Sequence, residues 1–333
     1  MSIKNNLLIR VSTFLNYILD DHQIKLLVFS LITALIIIGC GMNTPKNAPF
    51  NSVNVTSEMR IFKHALGETK IPLHPQRVVV LGGLDNVLAL GVKPIAATTL
   101  GDYKFQAYLQ DLTSEIEKIG TNGQPNLEKI LYLKPDLILG FSWDAELYGQ
   151  LSKIAPTVLV DQDSDWKDWL KQYAEALGKT AKAEKLLQEY DQKIASLRQK
   201  MGTTLSQTKV SLVNFWANYT RLYMRRSFGG SILKEIGLPR SQYENKDKNH
   251  ENISLELVPR IGGDVIFLIL GGHNESRLKQ FINHPLWSQL QAVQQNRVYL
   301  VTGDVWISAW GIIGANRVLD DLFKYLLTYA VLY

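Results

Sequence analysis

A chain of 333 residues, 46% hydrophobic and 20% charged, is longer than one hydrophobic core usually serves, so two lobes are expected and disorder is excluded. Lys and Arg outnumber Asp and Glu by 36 to 31 without gathering in a basic run, which argues against a dedicated nucleic-acid binder. The single cysteine, Cys40, cannot form an internal disulfide.

Lys25 precedes an uncharged run, Leu26 to Ile38 (LLVFSLITALIII), which ends at Gly39-Cys40-Gly41. The run is shorter than the roughly 20 residues of a membrane span and fits the apolar core of a secretory signal, about 7–15 residues after a positive flank. Ile37-Ile38-Gly39-Cys40 resembles the lipobox of bacterial lipoproteins, in which a small residue precedes the cut and the thiol after it is lipidated. Residues 1–39 are therefore expected to be a lipoprotein signal peptide. Residues 40–58, polar and broken by Pro45 and Pro49, read as a tether.

From Arg77 strand-like and helix-like runs alternate. Arg77 to Leu81 (RVVVL) predicts a strand, Leu84 to Leu90 a helix stopped at Gly91, and Pro94 to Ala97 the start of the next strand. Leu127 to Leu133 reads as a helix, Leu137 to Leu139 and Thr157 to Val160 as strands, and Trp166 to Leu177 as a helix closed by Gly178. Such alternation points to parallel sheet built from βαβ units. Thr180 looks like the N-cap of a longer helix reaching about Lys200, with Ala183, Leu186, Leu187, Tyr190, Ile194 and Leu197 on one stripe. The pattern restarts at Lys209 to Phe215 (KVSLVNF).

The second half echoes the first. Leu127-Glu128 stands before Asp136-Leu137-Ile138 as Leu255-Glu256 stands before Asp264-Val265-Ile266, with the same Glu-to-Asp separation and with Asn126 and Ser254 as candidate N-caps. The fold expected is α/β, with two Rossmann-like three-layer lobes, over 59–178 and 205–333. One long helix over 179–204 joins them.

Enzyme motifs fail on inspection. Gly178-Lys179-Thr180 ends like a phosphate-binding loop, but Tyr173 stands where that loop needs glycine. Gly140-Phe141-Ser142-Trp143-Asp144 follows a strand as a nucleophile elbow should, yet Asp144 replaces the second glycine. An α/β hydrolase using Ser142 or Ser231 is thus a weak reading. His64, His74, His250, His273 and His284 show no paired spacing, so no direct metal site is expected. In open α/β sheets ligands sit beyond the carboxyl ends of strands. Trp143, Trp216, Arg221, Tyr223, Arg225 and Arg226, His273, Trp306 and Trp310 occupy such positions. Arginine supplies permanent planar charge, and aromatic rings pack on apolar surface and on cations, a combination suited to a bulky, oxygen-rich, anionic ligand.

RVVVLGGLDNVLALGVKPIA (Arg77 to Ala96), GTNGQPNLEKILYLKPDLILG (Gly120 to Gly140), SFGGSILKEIGLP (Ser227 to Pro239), NISLELVPRIGGDVIFLI (Asn252 to Ile269) and PLWSQLQAVQQNRVYLV (Pro285 to Val301) together resemble a known family. It comprises the substrate-binding lipoproteins of bacterial ABC importers for iron-siderophores, haem and cobalamin. The resemblance implies that Glu128 and Glu256, one per lobe, dock onto the membrane permease. It implies a ferric siderophore of hydroxamate or citrate type, held in a cleft between the lobes and gripped by its organic shell, with haem or cobalamin as the alternative and a hydrolase acting on siderophores as the weaker one. It further implies no permanently bound cofactor, a lipid-anchored monomer on the extracytoplasmic or periplasmic face, and small lobe movement. Gly82-Gly83-Leu84-Asp85 stands where many members carry bulkier residues.

Overall fold

The computed structural model describes residues 58–216, 219–270 and 275–327. The expected signal peptide, Cys40, the tether up to residue 57 and His273 lie outside the described residues. Strands β1 (Met59–His64) and β2 (Gly67–Pro72) pair as an antiparallel hairpin that the sequence pattern did not announce.

The first large sheet contains β3 (Val78–Val80), β4 (Ala96–Thr99), β5 (Glu117–Thr121), β6 (Gln124–Pro125), β7 (Leu137–Phe141) and β8 (Thr157–Val160). Its order is β6-β5-β4-β3-β7-β8, parallel throughout except at β5–β6. Parallel strands covered on both faces must be apolar at every position rather than at alternate ones, and Val78–Val80 and Leu137–Phe141 are buried without interruption. The second sheet contains β9 (Val210–Phe215), β10 (Thr220–Tyr223), β11 (His250–Ile253), β12 (Val265–Leu270) and β13 (Val298–Val301), in the order β11-β10-β9-β12-β13. Here β9, β12 and β13 are parallel, whereas β10 runs antiparallel to both of its neighbours, β9 and β11.

Six of the helices shape the lobes and their junction: α1 (Leu84–Ala89), α2 (Leu127–Leu133), α3 (Trp166–Ala176), α4 (Thr180–Met201), α5 (Phe228–Ile236) and α6 (Ile312–Leu327). Helix α4, 22 residues long and thus about 33 Å, joins the two α/β lobes. It buries Ala183, Tyr190, Ile194, Leu197 and Met201, and ends at Gly202. Thr180 is not its cap: Lys179 holds that place, with no side-chain bond to the free amides. Helix α6 packs along α4, with Lys193 bridging to Asp320 at 2.7 Å and donating to the Asn316 carbonyl. It also reaches α1 in the first lobe.

The echo between halves has a concrete basis. Asp136 accepts from the backbone N–H groups of Gln76 and Arg77, just ahead of β3, while its own N–H donates to the Arg77 carbonyl. Asp264 does the same ahead of β9, accepting from Lys209 N–H and donating to the Lys209 carbonyl. In each lobe one aspartate locks the entry of two neighbouring parallel strands. The preceding helices differ. Asn126 caps α2 by accepting from Lys129 N–H at 2.8 Å, but Ser254 makes no such bond, and Leu255–Arg260 is a 3-10 helix containing Pro259, which lacks the amide an α-helix needs.

Candidate ligand cleft

A cavity of about 840 Å³ opens between the lobes. Its first wall is the segment after β8, Gln162 to Lys167, with Trp169. The second is formed by Tyr223, Arg225 to Phe228, Ser231, Lys234 and Glu235, and Asp247, Asn249, Ile307 and Trp310 complete it.

The second wall is built by a tight turn after β10. Ser227 caps α5 by accepting from Gly230 N–H, while its hydroxyl donates to the Met224 carbonyl at 2.7 Å. A Cβ on Gly230 would stand 1.9 Å from that carbonyl, so only glycine permits the turn. The backbone N–H groups of Met224, Arg225 and Arg226 donate to carbonyls of Asn249, Lys246 and Lys248, which fixes the main chain where Arg225 and Arg226 line the cavity. Neither pairs with a carboxylate among the described residues, and Arg225 Nε is buried without a partner.

Behind the turn, Glu244 is wholly buried. It accepts from the hydroxyls of Ser211 and Ser241, each at 2.8 Å, and from Arg240 Nη2 at 3.2 Å. The same Nη2 donates to the Tyr223 carbonyl at 2.7 Å. A buried ion pair thus reaches the backbone of the cavity wall.

The first wall comes from the N-terminus of α3, where Asp165 accepts from Lys167 and Asp168 N–H. Lys167 forms an ion pair across the lobe junction with Glu235, which also accepts from the Tyr190 hydroxyl at 3.1 Å. Phe141, Trp143, Trp169 and Tyr173 form an aromatic layer beside it, and Trp143 meets Trp310 of the second lobe with ring centroids 5.6 Å apart. Asp144 lies buried next to Trp143 with neither oxygen bonded among the described residues. Burial pushes its carboxyl up to about 6, partly offset by the nearby Trp143 side chain and Phe141 backbone, neither of which meets hydrogen-bond geometry.

Of the residues singled out in the sequence, Tyr223, Arg225, Arg226 and Trp310 line this cavity, and Trp143 backs it through Trp310. Trp216, Tyr219 and Arg221 form a separate patch at the β9–β10 turn, where the Arg221 guanidinium stacks over Tyr219 at 4.8 Å. None of the three borders the cavity. Trp306 is a core residue: fully buried, it stacks on Phe267 and donates its indole N–H to Asp321 at 2.8 Å. Ser231 donates to the Phe228 carbonyl and Ser142 accepts from Gln162 N–H, and among the described residues neither hydroxyl is paired with a histidine. Gln162 to Lys167 did not stand out in the sequence, although the rule that ligands gather past strand ends applies to β8 as it does to β7.

The sequence profile of the family described as Periplasmic binding protein matches residues 79–305. Probable siderophore-binding lipoprotein YfiY of Bacillus subtilis (strain 168) is 34% identical over 93% of this chain and 99% of its own length. The Achromobactin-binding periplasmic protein of Dickeya dadantii (strain 3937) is 33% identical over 75% of this chain and 86% of its own. The crystal structure of Staphylococcus aureus SirA complexed with staphyloferrin B superposes with a TM-score of 0.73 at 33% identity, covering 80% of this chain and 98% of that one.

Proposed function

The chain belongs to the periplasmic binding protein family, and from that premise we propose that it captures a ferric siderophore of hydroxamate or citrate type for an ABC importer. The observation that carries this reading is the pair of guanidinium groups, Arg225 and Arg226, free of carboxylate partners among the described residues at an inter-lobe cavity. Planar permanent charge of this kind pairs with carboxylate and hydroxamate oxygens, and Trp310, Phe228 and Tyr223 give apolar surface to the organic shell. The siderophore carried in the name of YfiY supports a siderophore as the ligand.

In this reading, residues 59–178 and 205–333 are the lobes, 179–204 the connector, and the protein works as a monomer tethered through a lipid on Cys40. Glu128 and Glu256, both exposed, dock on the permease. Changing both glutamates to Ala is expected to abolish uptake while leaving ligand affinity in solution unchanged; a fall in soluble affinity would exclude a docking role. Tryptophan fluorescence titrated with ferric citrate, ferric hydroxamates, haemin and cobalamin tests the ligand class. Saturable quenching by a ferric citrate or hydroxamate supports the reading, and its absence, or preference for haemin or cobalamin, rejects it. Mass spectrometry of the membrane fraction tests the anchor through a diacylglyceryl mass on Cys40.

A further inference from the structure

Asp85 is fully buried in the first turn of α1, yet its carboxylate serves the other lobe. Oδ1 accepts from Ile313 N–H and Oδ2 from Gly314 N–H, each at 2.9 Å, and these are two of the amides that the start of α6 leaves without helical partners. The Tyr108 hydroxyl donates to Oδ2 at 2.8 Å. An N-cap normally stands beside the helix it caps in sequence; this one comes from more than two hundred residues away. The glycines before it make that reach available. Gly83 has φ +74, and a Cβ on Gly82 would lie 2.6 Å from the Phe141 ring, so the chain turns sharply beneath Phe141 and delivers Asp85 to the junction. The receiving side is equally shaped, since a Cβ on Gly311 would sit 2.2 Å from Asp85 Oδ1.

The capped helix follows directly on Trp310, which lines the cavity. Trp310 has φ +54, a conformation that non-glycine residues rarely adopt and that persists only where the surroundings enforce it. Asn86, next to Asp85, donates from Nδ2 to the Trp310 carbonyl at 3.2 Å.

We infer that Asp85 and Asn86 are positioning residues for ligand capture: from the first lobe they clasp the start of α6 and hold Trp310 in its strained place on the cavity wall. The effect on affinity rests on the proposed ferric-chelate function; the clasp itself does not.

The test compares the native chain with Asp85→Ala, Asp85→Asn, Gly311→Ala and Asn126→Ala, the last removing an ordinary local cap remote from the cavity. Affinity for ferric citrate and a ferric trihydroxamate is read by tryptophan quenching, and amide exchange is followed at Ile313 and Gly314. Asp85→Ala and Gly311→Ala are each expected to weaken binding about tenfold, the scale of a lost cap. The double variant should be no worse than either, because both break one contact. Asp85→Asn, which keeps one acceptor, should fall between and serves where Asp85→Ala does not fold. Asn126→Ala should bind like the native chain. Native-like affinity in both Asp85→Ala and Gly311→Ala, or an equal loss in Asn126→Ala, would overturn the positioning role. If no chelate binds even the native chain, the receptor reading fails, and exchange still decides the clasp: faster exchange at Ile313 and Gly314 in Asp85→Ala supports it, and unchanged exchange overturns it.

Discussion

The two lobes share a scaffold and divide the chemistry. Asp136 and Asp264 lock equivalent strand pairs, and both sheets have buried parallel cores. In the second lobe, however, β10 runs antiparallel to both β9 and β11, and the turn after β10 brings Arg225 and Arg226 to the cavity lining. The first lobe contributes an aromatic layer and the N-terminus of α3. The parallel core therefore supplies rigidity in both halves, while the two cavity arginines that lack carboxylate partners among the described residues follow an antiparallel strand of the second sheet.

The buried carboxylates sharpen this contrast. Glu244 in the second lobe is bonded to Ser211, Ser241 and Arg240, whereas Asp144 in the first has no bonded partner among the described residues. Removing one member of a buried ion pair typically costs 3–5 kcal/mol, so Glu244→Ala is expected to lower unfolding stability by about 4 kcal/mol in urea. A loss below about 1 kcal/mol would mean the pair does not anchor the wall.

The next effect is on binding. Arg225→Ala combined with Arg226→Ala is expected to weaken ferric-chelate affinity at least about a hundredfold, since charge-assisted bonds to a desolvated anion contribute about 1.5–3 kcal/mol each. Gln162→Ala on the opposite wall should change it less than about threefold, having no charge to lose. Equal effects from the two walls would erase the division of labour.

Asp144 gives a smaller, pH-dependent effect. Its folded carboxyl is raised to about 6 from an ordinary 3.8, so the folded chain retains a proton that the unfolded chain releases between those values. The stability this contributes is fully present below about pH 4 and is lost as the pH rises through 6. Asp144→Asn, which cannot ionise, should therefore gain on the native protein between pH 4 and pH 7, by about 2 kcal/mol. Urea midpoints at the two pH values check this, and a gap that does not widen with pH contradicts it. Smallest is the cap comparison: Asn126→Ala should cost about 1 kcal/mol, and Ser254→Ala, where no cap bond exists, less than about half that. Thermal melts of the two variants measure the difference.

The sequence made the parallel cores legible because a strand buried on both faces must be apolar at nearly every position, as in Val78–Val80 and Val210–Phe215. The β1–β2 hairpin was not legible: its residues are mostly exposed or half-buried, leaving no apolar run to read. Trp306 and Trp310 illustrate the limit at the site. Four residues apart and equally placed after a strand, one is sealed against Phe267 and the other reaches the cavity, a difference set by the turn between them and by contacts from the other lobe. Asp85 stood out in the sequence only as part of an unusual glycine-rich step, because its partners Ile313 and Gly314 are distant along the chain.

The most direct test of the central claim is calorimetric titration of ferric citrate and a ferric trihydroxamate into the native chain and into the Arg225→Ala, Arg226→Ala double variant. Saturable binding of one chelate to the native chain, weakened at least about a hundredfold in the variant, is the predicted result. Equal affinity in the two proteins, or no binding to the native chain, would contradict it.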